Sequence, residues 1–176
     1  MVNLRNVLGW SMCALSALGM VGASAPVAAA TPSATSPSPA YVGAPNCKVE
    51  RPKAWGEGGR YAWLGACVNG RATGLGVLRN TLPDATTELF LGRVTAGALT
   101  SGALKSSSGY TVGAWRNGEV INDATDDGMQ RNAVNEGFKA AASAAKATSA
   151  RMQTQRNSKS AAYYQSLARQ IEQQME

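Results

Sequence analysis

The sequence has 176 residues, with 17 lysines and arginines against 11 aspartates and glutamates, a formal net charge of +6. It contains no histidine, which excludes a Ser-His-Asp triad, a Cys-His pair and a histidine-ligated metal. Any catalysis would have to use carboxylates, lysine, tyrosine or a serine–lysine pair.

Residues 1–30 have the layout of a secretory signal. Arg5 precedes an apolar run from Val7 to about Val21, and small residues follow up to Ala30. This order of a basic, an apolar and a small-residue region is typical of a signal peptide. We therefore expect cleavage after Ala30 and export to the periplasm or the extracellular space. An uncleaved membrane anchor is the less favoured alternative, because glycines and serines interrupt the run.

Residues 31–45 contain four prolines among serine, threonine and alanine, a composition that predicts a flexible linker. After cleavage, Cys47 and Cys67 are the cysteines that remain. An even pair in an oxidising compartment predicts a disulfide, which would stabilise the fold by about 3 kcal/mol in the chain-entropy model. Two thiols without histidine are too few for a zinc site, so we expect no metal and no cofactor.

Residues 46–123 consist of short apolar runs that alternate with glycine and asparagine, the pattern of a β-sheet region. The dipeptides Asn69-Gly70 and Asn117-Gly118 predict tight hairpins. Both central residues of a type I′ turn need a positive φ, and Asn-Gly tolerates that conformation best.

Residues 124–176 lose glycine after Gly137 and are rich in alanine, glutamine, lysine and arginine, which favour helix. Asp126 and Asp127 could cap its start. An apolar stripe recurs at helical spacing and is interrupted within residues 155–160, which predicts two helices or one kinked helix. The stripe comprises Val134, Phe138, Ala141, Ala145, Thr148 and Met152, followed by Tyr164, Leu167, Ile171 and Met175. The expected fold class is α+β, with a β-hairpin array followed by this helical arm (residues 124–176).

A glycine pattern recurs through the β region. The three units read Trp63-x-Gly65-x-Cys67-x-x-Gly70-x-x-x-Gly74-x-Gly76, Phe90-x-Gly92-x-Val94-x-x-Gly97 and Thr111-x-Gly113-x-Trp115-x-x-Gly118. In the second unit, Ser101 and Ala103 stand where the later glycines would fall. The pattern resembles the MORN repeat (membrane occupation and recognition nexus), whose units run aromatic-x-Gly-x-aromatic-x-x-Gly-x-x-x-Gly-x-Gly. The resemblance covers about residues 61–124, and Cys67 departs from it by replacing an aromatic residue.

The resemblance implies a row of antiparallel β-hairpins in an elongated, single-layer curved sheet that serves as a scaffold or binding surface. It also implies that Trp63, Phe90 and Trp115 face along one side of that sheet. Together with Trp55, which lies outside the repeat, these are candidate binding aromatics that could stack on sugar rings. The alternative is that the rings fill the seams between hairpins.

One short motif invites a catalytic interpretation. Ser143-Ala-Ala-Lys146 spells the S-x-x-K of serine–lysine acyl transferases, in which the lysine accepts the serine proton. The companion motifs K-T-G and S-D-N are absent from the sequence. The carboxylates of the β region are scattered, whereas a glycosidase needs a facing pair. We therefore expect that the protein is not an enzyme.

Residues 129–176 hold seven lysines and arginines against three glutamates, so the arm is a basic amphipathic helix. We expect a non-enzymatic exported scaffold whose arm binds a protein partner or a second copy of the chain. The apolar residues available for that contact are Phe138, Met152, Tyr164, Leu167 and Ile171. Two alternatives stay open: the arm packs on its own domain, or the protein binds envelope glycan or anionic lipid. No basic cluster indicates binding to nucleic acid.

Overall fold

A computed structural model describes residues 40–121 and 126–175. The predicted signal and most of the predicted linker, residues 1–39, lie outside the described residues. Within the described part, nine strands precede two helices, which confirms the predicted α+β order of hairpins followed by helices. The elements are β1 (Tyr41–Val42), β2 (Val49–Glu50), β3 (Arg60–Trp63), β4 (Ala66–Val68), β5 (Arg71–Thr81), β6 (Thr87–Thr95), β7 (Ala98–Ser106), β8 (Gly109–Arg116), β9 (Glu119–Val120), α1 (Asp127–Thr154) and α2 (Ser158–Glu172).

Seven of these strands form one antiparallel sheet in the order β3-β5-β6-β7-β8-β9, and β4 pairs with the first part of β5. From β5 to β9, strands that follow each other in the chain are neighbours in the sheet, so local hairpins build it. β1 and β2 form a separate two-stranded ladder. Tyr41 and Val42 therefore belong to the folded domain, although the composition of residues 31–45 predicted a linker there.

Three tight turns of the sheet share one backbone conformation. Asn69-Gly70, Ala96-Gly97 and Asn117-Gly118 each place two successive residues at positive φ, between 49° and 88°. Such a pair of angles is typical of a type I′ hairpin turn. The dipeptides Asn69-Gly70 and Asn117-Gly118 predicted two of these turns. The middle turn was not predicted, since Gly97 was identified only as a glycine of the repeat.

Residues 40–55 form a segment, here called the N-terminal clasp, that runs past all three turns. In each turn the glycine carbonyl accepts a backbone hydrogen bond from an amide of the clasp. The donors and acceptors are Lys48 and Gly70 (2.8 Å), Glu50 and Gly97 (2.7 Å), and Lys53 and Gly118 (2.8 Å). The clasp thus connects the turns of successive hairpins along the sheet.

The sheet has an apolar core on each face, because successive side chains of a strand point to opposite sides. On one face, here called the helix face, Val77 and Leu89 pack against α1 and α2. On the other, here called the aromatic face, Leu78 and Phe90 pack with Trp55 of the clasp. Both faces of the single-layer sheet are therefore covered by other parts of the same chain.

The first helix lies across strands β5 to β8. Small residues allow this close approach: Ala141 and Ala145 are buried against the sheet. The approach is tight at Gly137, where an added methyl group would lie 2.7 Å from the amide nitrogen of Gly113.

The helical arm breaks within residues 155–160, as predicted. Arg156 adopts a φ of 56° after the end of α1. Asn157 then caps α2, because its side chain accepts a 3.1 Å hydrogen bond from the Ser160 amide. At the start of the arm, the side chain of Asp126 caps α1, in agreement with the capping role predicted for it.

The apolar stripe of the arm is buried within its own domain. Four of the residues predicted to contact a partner lie in the core between the helices and the sheet: Met152, Tyr164, Leu167 and Ile171. The fifth, Phe138, is half-buried against Tyr110, with ring centroids 6.2 Å apart. These side chains complete the helix-face core, so a partner of the arm would have to contact its outer face.

Candidate functional site

Four glycines lie side by side across the middle of the sheet. Gly76 pairs with Gly92, Gly92 with Gly102, and Gly102 with Gly113. Glycines opposed in this way leave a strip of the sheet without side chains. Three of the four are repeat glycines predicted from the sequence.

The fourth glycine of this row, Gly102, was not predicted. The repeat alignment assigned the later glycine positions of the second unit to Ser101 and Ala103. The register between β6 and β7 shifts between Arg93 and Val94, and this irregularity moves the equivalent position by one residue. A strict spacing cannot reveal such a shift.

The predicted aromatic residues lie over the glycine row. A methyl group on Gly76 would come within 2.7 Å of the Trp63 ring, and one on Gly92 within 2.9 Å of the Phe90 ring. Trp115 packs edge-on against Phe90, with ring centroids 5.3 Å apart. The Trp63 ring occupies the space of a side chain at Gly76, whereas at Gly92 and Gly102 the backbone of the neighbouring strand would lie 2.2 Å from an added methyl group.

Most of these rings are withdrawn from solvent. Trp55, Phe90 and Trp115 are 1%, 0% and 5% exposed, and Trp63 is half-buried. They fill the aromatic-face core, so they do not form the exposed row that stacking on a glycan would need. The burial of Trp55, Phe90 and Trp115 leaves no free ring face for surface stacking and agrees with the alternative that the rings fill the seams of the sheet.

Cys47 and Cys67 form the predicted disulfide, with their Cα atoms 5.6 Å apart. The bond joins the clasp to β4, next to the first hairpin turn. Cys67 holds the position that an aromatic residue has in the MORN pattern. The covalent link thus anchors the clasp at the end of the sheet where the repeat begins.

A cavity of about 500 Å³ lies between the clasp and the β8–β9 hairpin. Its lining includes the apolar side chains of Leu104 and Trp115. Lys53 and Glu119 also line it and form an ion pair with a 3.0 Å separation between Nζ and Oε2. This Trp115 groove combines an apolar surface with two charges of opposite sign, a lining suited to one apolar group flanked by polar ones.

A second cavity, here called the basic cavity, has a volume of about 410 Å³ and lies between the helical arm and strands β5 and β6. Two of its lining side chains are cations. Arg79 belongs to strand β5 and Lys159 to the first turn of α2, so the two cations line the cavity from different secondary-structure elements. The full lining is Arg79, Thr87, Leu89, Lys159, Ser160, Tyr163 and Tyr164.

The sheet extends this basic surface beyond the cavity. Arg79 is paired with Leu89, Leu89 with Lys105, and Lys105 with Tyr110, so Lys105 lies in the same cross-strand row as Arg79. Neither Arg79 nor Lys105 was predicted as a site residue. The two lie in one row because of the strand register, and the sequence signals for that register are the turns between β5 and β8.

The two tyrosines of the basic cavity are held in their neutral form. Burial raises the pKa of the hydroxyl of Tyr163. Burial also raises the pKa of Tyr164, and the Arg79 guanidinium opposes part of this rise. Both phenols therefore keep their protons at neutral pH and can donate hydrogen bonds.

Ser143 and Lys146, the residues of the S-x-x-K motif, are both exposed on α1. The Lys146 ammonium forms an ion pair with Glu172 of α2. No hydrogen bond joins Ser143 to Lys146 in the described structure. The lysine is therefore not placed to accept the serine proton, which the serine–lysine mechanism requires.

No family model, curated protein or solved structure matches the chain. Among residues 40–121 and 126–175, no group of three cysteine, aspartate or glutamate side chains is arranged to hold a metal ion. Neither helix in these ranges combines the length and the apolar character needed to cross a membrane.

Proposed function

We propose that the chain is a non-enzymatic exported binding module that attaches to an anionic component of the cell envelope through its helical arm. The charge pattern on the outer face of the arm carries this proposal. That face remains available because the apolar stripe is turned toward the sheet.

The outer face of the arm carries more positive charge than its own acids neutralise. Two of the arm's acids, Asp126 and Asp127, lie at the start of α1, where Asp126 caps the helix. Glu136 and Glu172 are each paired with a lysine, Lys139 and Lys146, at 2.9 and 2.5 Å. Four further cations are exposed and have no ion pair within the part of the chain that the structure describes: Arg131, Arg156, Lys159 and Arg169. An anionic surface would complement these charges, each of which contributes on the order of 1 kcal/mol near an anionic membrane.

Two other observations support an exported scaffold. The disulfide between Cys47 and Cys67 is typical of proteins that fold in oxidising compartments. The hairpins whose turns are held by the clasp coincide with the three units that resemble the MORN repeat. That resemblance implies a scaffold or binding role.

Affinity capture on the cell-envelope fraction tests the proposal with the mature chain, residues 31–176. We expect recovery at low ionic strength and release at 1 M salt, where the Debye length falls to about 3 Å. The double variant Arg131→Gln/Arg169→Gln should be recovered less, because it removes two exposed cations of the arm. Deletion of the arm is unsuitable, since the helix-face core would be lost with it.

The matched control is the double variant Arg60→Gln/Arg93→Gln, which removes two exposed cations from the strands and leaves the same net charge. It should be recovered as well as the unmodified chain. Recovery that persists at 1 M salt, or that is unchanged by the arm variant, would contradict attachment through the charges of the arm.

A protein partner is the second candidate, and the Trp115 groove favours it. An apolar side chain of a partner could enter beside Leu104 and Trp115 while the Lys53–Glu119 pair contacts polar groups around it. Reversal of one charge in Glu119→Lys should reduce salt-resistant capture of a discrete protein. The exchange Lys53→Glu/Glu119→Lys should restore the ion pair and the capture, and failure to restore it would argue against the groove.

A further inference from the structure

The basic cavity has an unneutralised double positive charge. No aspartate or glutamate is among its lining residues. Arg79 and Lys159 form no ion pair or hydrogen bond through their side chains within the described residues. Cations that line a cavity together without an acid repel each other, so an anion that enters between them is attracted by both.

Neutral donors surround the same space. Three hydroxyl-bearing residues, Thr87, Ser160 and Tyr163, line the cavity with the two cations. The phenol of Tyr163 is protonated at neutral pH, because burial raises its pKa above the ordinary value of 10.0. The helix that supplies Lys159 also has no acidic residue in its first turn, so its positive end is not neutralised there. Arginine, lysine and hydroxyl donors that approach from several directions match an anion with three or four acceptor oxygens.

Phosphate fits this set better than carboxylate. Phosphate can carry two negative charges, and its oxygens are arranged tetrahedrally. It can therefore accept hydrogen bonds from the Arg79 guanidinium and the Lys159 ammonium at the same time. Leu89 and the ring of Tyr164 give the remainder of the lining an apolar character. The cavity therefore has room and suitable contacts for the substituent of an ester as well as for its phosphate.

We infer that the basic cavity is a binding site for the phosphate group of a phosphate ester, held between Arg79 and Lys159. The inference rests on the proposed function, since it names the anionic group that the envelope ligand would present. It concerns residues other than Arg131 and Arg169, so the two proposals can fail separately. The ester can be a free metabolite or a phospholipid headgroup, because both present the same chemistry.

Calorimetric titration of the mature chain with glycerol phosphate tests the soluble form of this ligand. We expect one molecule bound per chain. The variants Arg79→Gln and Lys159→Gln should each weaken the affinity by about tenfold or more, because each removes a charged hydrogen-bond donor. Arg93→Gln removes the same charge at an exposed position outside the cavity and should leave the affinity unchanged. Both cavity cations are exposed, and an unchanged circular dichroism spectrum will show that the variants fold.

Phosphatidylcholine vesicles that contain phosphatidic acid test the headgroup form with the same phosphate monoester. Binding to vesicles alone, weakened by Arg79→Gln and Lys159→Gln, assigns the cavity to a lipid; binding of glycerol phosphate assigns it to a free ester. No binding of either probe, or affinities that are equal in the cavity variants and the unmodified chain, would overturn the site. If envelope capture still depends on Arg131 and Arg169 in that case, the proposed function stands without it.

Discussion

The buried carboxylate of Glu50 accepts a 2.9 Å hydrogen bond at Oε2 from the backbone amide of Leu99. The backbone amide of Glu50 donates to the carbonyl of Gly97 in the same hairpin. One residue of the clasp therefore contacts the start of β7 through both its backbone and its side chain. Loss of solvation raises the pKa of Glu50, and the Leu99 amide and the charge of Lys53 oppose this rise.

The raised pKa predicts that stability depends on pH through Glu50. The folded chain holds this proton more tightly than the unfolded chain, so the contribution of Glu50 to stability is complete below its ordinary pKa of 4.5. That contribution is lost as the pH rises through the folded-state pKa. Glu50→Gln cannot ionise, and its free energy of unfolding should increasingly exceed that of the unmodified chain above pH 4.5.

Urea denaturation of both proteins over a series of pH values measures this difference. Glu57→Gln removes one carboxylate from an exposed position and controls for the change in net charge. A difference between the Glu50 variant and the unmodified chain that stays constant with pH would show that this carboxyl does not couple stability to protonation.

Gly92→Ala should strongly destabilise the sheet. The added methyl group would lie 2.2 Å from the Ser101 carbonyl oxygen and 2.8 Å from the Gly102 Cα atom. Both contacts are with backbone, so relief requires β6 and β7 to separate. We expect a loss of about 2–3 kcal/mol in the free energy of unfolding, measured by urea denaturation.

Gly56→Ala is the matched control for this substitution. A methyl group at Gly56 would meet no atom within 4 Å, and its φ is outside the left-handed region. Its unfolding midpoint should stay close to that of the unmodified chain. Equal stability of the two alanine variants would show that the glycine row is not sterically required.

Removal of the disulfide should weaken the attachment of the clasp. The bond between Cys47 and Cys67 closes a loop with a sequence separation of 20. The double variant Cys47→Ser/Cys67→Ser should lose about 3 kcal/mol in the free energy of unfolding. A reductant should lower the stability of the unmodified chain to the same level and leave the variant unaffected; a reductant that changes both proteins equally would point to another cause.

Arg151 connects the end of α1 to the sheet. Its guanidinium donates hydrogen bonds to the carbonyls of Leu64 (3.3 Å) and Leu75 (3.1 Å). Arg151→Met keeps an extended side chain and removes both donors, so we expect a loss of about 1.5–3 kcal/mol in thermal or urea unfolding. Arg156→Met, at an exposed position, should change the stability by less than about 0.5 kcal/mol. Similar losses in both variants would contradict the bridging role of Arg151.

The sequence predicted the elements that depend on local chemistry. Asn69-Gly70 and Asn117-Gly118 form turns because Asn-Gly tolerates positive φ, and this preference is visible in the dipeptide itself. The helix break was visible as an interruption of the apolar stripe. Its mechanism was less apparent, because Arg156 occupies a left-handed conformation in which glycine is the usual residue.

The positions that the sequence does not reveal depend on contacts between distant segments. Amphipathic spacing shows that Leu167 and Ile171 need cover, but it does not identify the sheet as that cover. Trp55 precedes the repeat, so the pattern gave no sign that the clasp brings it into the aromatic-face core. Arg79 and Lys159 meet only because the strand register and the turn at Arg156 bring β5 and α2 together.

The clasp and its disulfide also determine how the domain would respond to tension. A pulling force applied at Ala40 would first separate β1 from β2, because only short strands are paired there. The force would then reach Cys47, and the disulfide would transfer it to Cys67 in β4. A molecule held from this end would therefore extend only by the segment before Cys47 before a covalent bond carried the load.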